Sequence, residues 1–327
     1  MLGWNMLNPS LSHPLIVGCL CLIIPLQVEA EPASQTDTSI EELPASTLIY
    51  VSDYFSFVGR DSQGHVAFAL DTNRGRDGDA FQAEHFLVLH DERQGWITLA
   101  GSGQFDNIEK ELRSIPNSPF FQFQGTPRMG MTIMSDTNQL TLRIAPIPQR
   151  TSNRHRGAAT WMGSAPAVLT WNGRSIAGRV IYEYVMMPEF NRLTRKYPRM
   201  WNDFQGLYMI MDKSGDLYVR SQLSKRIAPL TGMLAGFAAF NEQTESMQDL
   251  TIEVLDRSLA LGFYRWPTAW LITWTGPQGR ATLTLAQTER TGIANWVIGG
   301  FSMGIVRGEL DYAGRKHPIY GLAELIM

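Results

Sequence analysis

From Thr47 onward the chain is written in short stretches that alternate apolar and polar residues. Examples are His65–Leu70, His85–Leu89, Trp96–Ala100, Gln139–Ala145, Leu207–Met211, Ala269–Trp274 and Arg280–Ala286. Gly, Asn and Asp turns separate them. An alternation of two over such lengths, recurring at intervals of about ten residues, predicts the strands of a sandwich or barrel. Helical patterns are few; Asp106–Ile115 is one, and a helix is predicted there.

The two halves of the pattern resemble each other. Gln139-Leu140-Thr141-Leu142-Arg143-Ile144-Ala145 matches Arg280-Ala281-Thr282-Leu283-Thr284-Leu285-Ala286. The same offset superposes Gly173-Arg174 on Gly314-Arg315, and Glu183 on Glu324. Near the start of each half, Phe57…Asp61-Ser62-Gln63-Gly64 matches Tyr208…Asp212-Lys213-Ser214-Gly215 at a longer offset. The difference fits a longer connection around 188–200. A repeat of about 140 residues is too long for a solenoid or a propeller blade. The prediction is all-β: two tandem antiparallel β-barrel domains, 47–187 and 188–327.

The first residues break this pattern. Pro14 to Leu26 is an uncharged apolar run, too short for a membrane-spanning helix. Val28-Glu29-Ala30 behind it is a small-residue cleavage site. Residues 1–30 are therefore expected to be a signal peptide cleaved after Ala30, and the protein to be exported, periplasmic or secreted. A lipoprotein reading around Cys19 competes, but most of the apolar run follows that cysteine. Residues 31–46 are polar and rich in Pro and Ser, as in a linker.

Composition narrows the chemistry. Of 327 residues 44% are hydrophobic and 18% charged, which suits a packed core. The formal net charge is −3, too balanced for a nucleic-acid binder. Both cysteines, Cys19 and Cys21, fall in the signal segment. The mature chain would thus have no disulfide, thiolate metal site or cysteine nucleophile. His85 and His90, five apart on an alternating strand, point to opposite faces. Asp71–Arg76 begins like a calcium loop but has Gly75 at a ligand position. No metal and no cofactor are expected, and no nucleophile elbow or phosphate loop is present.

Asp53-Tyr54-Phe55-Ser56-Phe57-Val58-Gly59 resembles the opening strand of the AttH and carotenoid 1,2-hydratase family. Gly178–Tyr184, Trp201–Leu207, Met211–Gly215 and the closing Gly314–Glu324 are similar to later segments of the same family. Ile181 and Tyr182 stand where that family carries Asp-His, whereas Glu183 and Asp203 are retained. The resemblance implies two lipocalin-like domains, a hydrophobic or isoprenoid-like ligand and, in some members, hydration or cyclisation at a carbon–carbon double bond.

Such chemistry needs a proton donor in a dry pocket and groups that tolerate a carbocation. A carboxyl desolvated by aromatics has a raised pKa, and aromatic faces stabilise cations. Glu183 is the first candidate acid, provided it faces a barrel interior; Tyr182 and Tyr184 must then face the other way. Its repeat partner Glu324 argues against it, because two halves would not each need the same acid. Asp203 is the second candidate, at an interface between the domains. Asp53, Tyr54, His85, Tyr182, Tyr184, Trp201, Trp270 and Trp274 are candidate ligand-lining residues. Trp270 and Trp274 share one face and serve either a cavity or a core. Arg74 and Arg76 are placed in a charged hairpin loop, able to hold an anionic head group. The expected partner is a hydrophobic small molecule or lipid, with peripheral membrane contact left open. A cofactor-free hydratase or cyclase, a hydrophobic-ligand carrier and a structural envelope protein remain as alternatives.

Overall fold

A computed structural model describes residues 48–77, 80–107, 110–155, 158–188, 204–211, 215–222, 233–260, 264–291, 294–296 and 299–326. The predicted signal segment and linker, together with Trp201 and Asp203, lie outside the described residues.

The described chain is all-β and forms two antiparallel sheets. The first is built from β1 (Leu48–Asp61), β2 (Gly64–Asp77), β3 (Ala80–Asp91), β4 (Gly95–Ile97), β5 (Gly103–Asp106) and β6 (Gln122–Thr126). It continues with β7 (Gly130–Ser135), β8 (Leu140–Ile144), β9 (Gln149–His155), β10 (Ala158–Trp171) and β11 (Arg174–Pro188). The second contains β12 (Phe204–Met211), β13 (Gly215–Gln222), β14 (Met233–Phe240), β15 (Gln243–Glu245) and β16 (Gln248–Ala260). Its remaining strands are β17 (Tyr264–Gly276), β18 (Gly279–Arg290), β19 (Ala294–Trp296), β20 (Gly299–Tyr312) and β21 (Arg315–Ile326).

Strand order is β4-β3-β2-β1-β11-β10-β8-β7-β6 in one sheet and β15-β14-β13-β12-β21-β20-β18-β17-β16 in the other. In both, the last strand of the half returns to pair with the first. Each sheet curls around its own core. Phe55, Phe68, Leu87, Ile133, Leu142 and Tyr182 meet in the first half. Leu207, Trp266, Trp270, Trp274, Leu283 and Leu325 meet in the second.

A third core lies between the domains and sets the geometry of the site. Tyr54, Val58, Ala67, Ala69 and Ile181 from the first sheet pack on Tyr208, Tyr218, Ile305, Tyr320 and Leu322 from the second. The central strands are therefore buried on both faces. In β1 every residue from Val51 to Gly59 is buried. Odd positions of β1 point into the first barrel and even positions into the interface. This explains why Tyr54-Phe55-Ser56-Phe57-Val58 reads as a nearly unbroken apolar run rather than a clean alternation.

Three expectations need correction. No helix forms over 106–115 among the described residues. Lys110 adopts φ 53°, a left-handed conformation that interrupts a helix, and the Asn107 side chain donates to the Glu111 carbonyl at 2.7 Å. Second, β2 runs on through Arg74, whose side chain is fully buried inside the first barrel rather than in a solvated loop. Third, the match of Phe57 to Tyr208 is out of step by one. Asp61 pairs with Gly64 across its turn, whereas Met211 pairs with Gly215 across a longer one. Phe57 faces a barrel core and Tyr208 faces the interface.

Candidate functional site

Strand register assembles the interface in rows. Tyr54 sits between Asp71 on β2 and Glu183 on β11. On the facing sheet Gly206 sits between Arg220 on β13 and Glu324 on β21. Gly206 matters for what it omits: a Cβ there would lie 2.9 Å from the Tyr208 hydroxyl, so the Tyr208 ring folds back across the glycine. That ring carries its oxygen to both glutamates. The hydroxyl lies 3.3 Å from Glu183 Oε2 and 3.1 Å from Glu324 Oε2. Glu183 also accepts from the Tyr218 hydroxyl at 2.6 Å and pairs with the Arg220 guanidinium. Asp71 accepts from Ser52 at 2.7 Å and from Asn73 at 3.1 Å.

Three carboxyls, Asp71, Glu183 and Glu324, thus lie within electrostatic reach of one another among tyrosines, and Arg220 pairs with Glu183. Tyr54 and Tyr208 rings lie 4.8 Å apart, and Tyr208 and Tyr218 rings 5.1 Å apart. Burial pushes the Glu324 carboxyl well above the usual carboxylate range, and the charges of Asp71 and Glu183 push it further. Burial likewise raises Asp71 to about 6 against the bonds from Ser52 and Asn73. Burial and the nearby carboxylates hold Tyr54, Tyr208 and Tyr218 well above the ordinary phenol value.

Hydrogen-bond bookkeeping agrees with a protonated Glu324. The Tyr208 hydroxyl has one proton and faces two carboxyls, so it can donate to only one of them. Glu183 already acts as acceptor for Tyr218 and Arg220. With Glu324 ionised Tyr208 donates to it; with Glu324 protonated by burial, the acid can donate to Tyr208 and Tyr208 to Glu183. An acid, a phenol and an ion-paired carboxylate stand in line, which is the arrangement that separates acid and base roles between two carboxyls.

Glu183 therefore faces the interface and not a barrel interior, so the condition set for it as an acid inside a barrel is not met. Alternation does put Tyr182 and Tyr184 on the other face, but theirs is the interior face. The argument against Glu183 from its repeat partner also fails, because Glu183 and Glu324 do not occupy two sites. They meet at one.

The other candidates are distributed elsewhere. Asp53 is inside the first barrel, paired with Arg74 at 2.6 Å and accepting from the Tyr182 hydroxyl. Arg74 Nη1 also donates to the Thr72 carbonyl at 2.8 Å and Nε to that of Leu112 at 2.9 Å. His85 faces the same interior, ringed by Phe105, Phe121 and Phe123. Neither of its ring nitrogens finds a partner among the described residues, and burial, then the charge of Arg74, lowers it to about 4. Tyr184 packs 6.0 Å from the Trp161 ring in this barrel. Trp270 donates to Gln205 at 2.7 Å in the second barrel, where Trp274 is also buried. Of the sequence candidates, only Glu183 and Tyr54 reach the carboxyl cluster among the described residues. Among the described residues no group of three His, Cys, Asp or Glu is placed to hold a metal ion.

The sequence reading missed Asp71, Tyr208, Tyr218 and Arg220, and discounted Glu324. Their common signal is position: each occupies the alternate face of a strand whose other face already supplies a barrel core.

No protein-family model matches the chain. No curated protein matches it by sequence. Solved structures do match. The chain is similar to a protein designated AttH from Nitrosomonas europaea, with a TM-score of 0.60 and 10% identity, over 90% of this chain and 99% of that one. It is similar to kievitone hydratase from Nectria haematococca, with a TM-score of 0.55 and 8% identity, over 86% and 89% of the two chains. CghA in complex with Sch210972 matches with a TM-score of 0.58 and 10% identity, over 85% and 88%. At these identities the likeness is one of fold. The chain has the fold of the AttH-like proteins, two tandem lipocalin-like domains joined through a buried interface.

Proposed function

We propose that the protein binds an unsaturated, isoprenoid-like molecule and acts on it as a cofactor-free hydratase or cyclase, with the interdomain carboxyl cluster as its acid. The observation that carries this reading is the convergence of Glu183 and Glu324 on Tyr208, with Asp71 nearby and Arg220 paired with Glu183. Glu324 would give its proton to an alkene carbon, and the faces of Tyr54, Tyr208 and Tyr218 would stabilise the cation that results. In hydration, water adds its oxygen to the cation and returns a proton to Glu324 through Tyr208 or directly. In cyclisation a second double bond attacks, and loss of a proton from the product cation restores the acid. Neither route consumes a redox equivalent. Kievitone hydratase shares the fold and is named for a hydration, which supports the same class here. Export through the segment 1–30 belongs to the same proposal and would place the reaction outside the cytoplasm.

Native mass spectrometry of the mature protein purified from its own host, followed by organic extraction, identifies what it carries. Incubating that compound with fresh protein in heavy-oxygen water should give a product heavier by one labelled water, or an isomer with one ring more. Unchanged compound would favour the carrier reading, which draws support from one feature: every carboxyl of the cluster already has a protein partner. A protein that carries nothing and takes up no apolar probe would overturn both and favour a structural envelope role.

A further inference from the structure

The same interface opens at its turn end into a cleft of about 1040 Å³, within the size range of small-molecule sites. It is distinct from the carboxyl cluster. Arg179 lines the cleft and Glu183 lies four residues further along β11, roughly 13 Å away at strand rise. Val58, Ile181, Tyr208 and Leu322, all buried, fill the space between.

Its walls are unusual in two respects. Ala177, Gly178, Gly215 and Gly308 line it, so part of its wall carries no side chain larger than a methyl group. Ile210, Met211 and Ile319 supply the apolar contacts. Against this slot stands a row set by β-register: Ala177, Arg60 and His65 are cross-strand neighbours on the interface face.

His65 is held as a receptor group is held. Its Nδ1 lies 3.1 Å from Glu92 Oε2, and its backbone N–H donates to the same oxygen at 2.7 Å. Its ring stacks on Tyr320 at 4.2 Å and 15°. Glu92 is in turn fixed by Arg307 Nη2 at 2.8 Å, and the Arg307 guanidinium lies over the Tyr320 ring at 5.2 Å. Such a carboxylate contact selects the tautomer with the proton on Nδ1 and leaves Nε2, which makes no hydrogen bond among the described residues, as an acceptor. Burial lowers the His65 pKa against the opposing pull of Glu92, with smaller help from Arg60 and Arg307, and so favours the neutral ring. The other arginines of the cleft are occupied: Arg179 by Asp216 and Glu242, Arg307 by Glu92. Arg60 is exposed and has no carboxylate partner among the described residues, although it lies beside His65.

We infer that this cleft is a second ligand site, for a flat apolar acid that carries a carboxylate or sulfonate and an adjacent N–H or O–H donor. Arg60 binds the anion, His65 Nε2 accepts from the donor, and the glycine-lined slot takes the ring system. The site does not depend on the reading of the carboxyl cluster.

The test is fluorescence titration of the full chain with 8-anilinonaphthalene-1-sulfonate and with N-phenyl-1-naphthylamine, its neutral counterpart. The sulfonate should bind once per chain, about tenfold tighter than the neutral amine, as one charge-assisted hydrogen bond warrants. Arg60→Gln should erase that preference, Arg60→Lys should keep part of it, and His65→Phe should weaken both probes while preserving the stack on Tyr320. Ala177→Trp, at an exposed lining position, should abolish the preference for the sulfonate over the neutral amine. An Arg60→Gln chain that keeps its sulfonate affinity within about twofold overturns the inference, as does an Ala177→Trp chain that keeps the preference. Thermal melts of each variant identify a chain that has failed to fold; His65→Gln then replaces His65→Phe, and Ala177→Phe replaces Ala177→Trp, under the same criteria.

Discussion

Burial of two titratable groups, Asp71 at the interface and His85 in the first barrel, predicts how stability depends on pH. Asp71 rises from an ordinary value of 3.8 to about 6 in the folded chain, and His85 falls from 6.5 to about 4. The signs oppose each other. Between its two values Asp71 binds more proton folded than unfolded, so stability is fully present below pH 3.8 and is lost as pH rises through 6. His85 binds less proton folded than unfolded, so its contribution is present above 6.5 and is lost as pH falls towards 4. At 1.36 kcal/mol per unit, each shift is worth about 3 kcal/mol. Over the shared window the two largely cancel, and each removal should expose the other. Asp71→Asn should gain about 3 kcal/mol relative to the native chain between pH ~4 and ~7. His85→Phe, surrounded by three phenylalanines and needing no hydrogen bond, should gain about 3 kcal/mol relative to it between pH ~7 and ~4. The amide introduced by Asp71→Asn would set its nitrogen against a donor, Ser52 or Asn73, at a cost that does not vary with pH, so the slope rather than the absolute value carries the test. Urea unfolding midpoints of the three chains, taken at half-unit steps, supply those slopes. Parallel curves, within about 0.5 kcal/mol across the window, would show that neither group is perturbed and would refute the argument from burial.

Other substitutions separate the members of the cluster. Glu324→Gln replaces a protonated acid by its near-isostere and should cost less than about 1 kcal/mol near pH 7 while abolishing turnover, whereas Glu183→Gln strips a buried guanidinium of its partner and should cost about 3–5 kcal/mol. Equal costs in urea unfolding would contradict the roles assigned to the two. Gly206→Ala puts a methyl 2.9 Å from the Tyr208 hydroxyl and should destabilise by about 1–3 kcal/mol, with a parallel loss of turnover. Differential scanning calorimetry showing an unchanged melting temperature would mean that Tyr208 does not lie over the glycine. Ser52→Ala removes one of the two donors to Asp71 and should raise its pKa further, read as an upward move of the Asp71 titration by carboxyl-resolved NMR; a downward move would reverse the assignment of that bond.

The fold was legible because the barrel cores obey a simple rule. Alternating stretches such as Arg280–Ala286 become β18, with Ala281, Leu283 and Leu285 buried in turn. The site was less legible because the same rule, applied alone, gives each strand one buried face. Tyr208, Tyr218 and Arg220 occupy what that rule treats as the outward face, and only the second sheet turns that face into an interior. A trace existed in β1, where Tyr54 to Val58 is apolar at even and odd positions alike. Arg74 was misplaced for a related reason. Its charge and the flanking glycine read as a loop, but the Asp53 carboxylate and the carbonyls of Thr72 and Leu112 satisfy it inside a barrel. Which half of a charged pair is buried with which cannot be read until the register is known.

The matching strand order of the two halves explains why the acids meet. When one barrel is repeated and the copies pack through equivalent faces, a residue on that face is brought near its own counterpart, as in an isologous contact between identical subunits. A carboxylate so placed confronts another carboxylate, and the pair can share the interface only by holding a proton or recruiting a cation. The chain does both: Arg220 takes Glu183, and burial, with the charges of Asp71 and Glu183, holds the proton on Glu324 against the Tyr208 hydrogen bond. Asymmetry between the halves decides which glutamate does which. Arg220 lies in the same row as Glu324, yet reaches across to Glu183, while Tyr54 fills the place opposite Gly206. One residue type thus meets itself in two environments, ion-paired at Glu183 and desolvated at Glu324, and the repeat that counts against a catalytic Glu183 on sequence grounds is what supplies its partner.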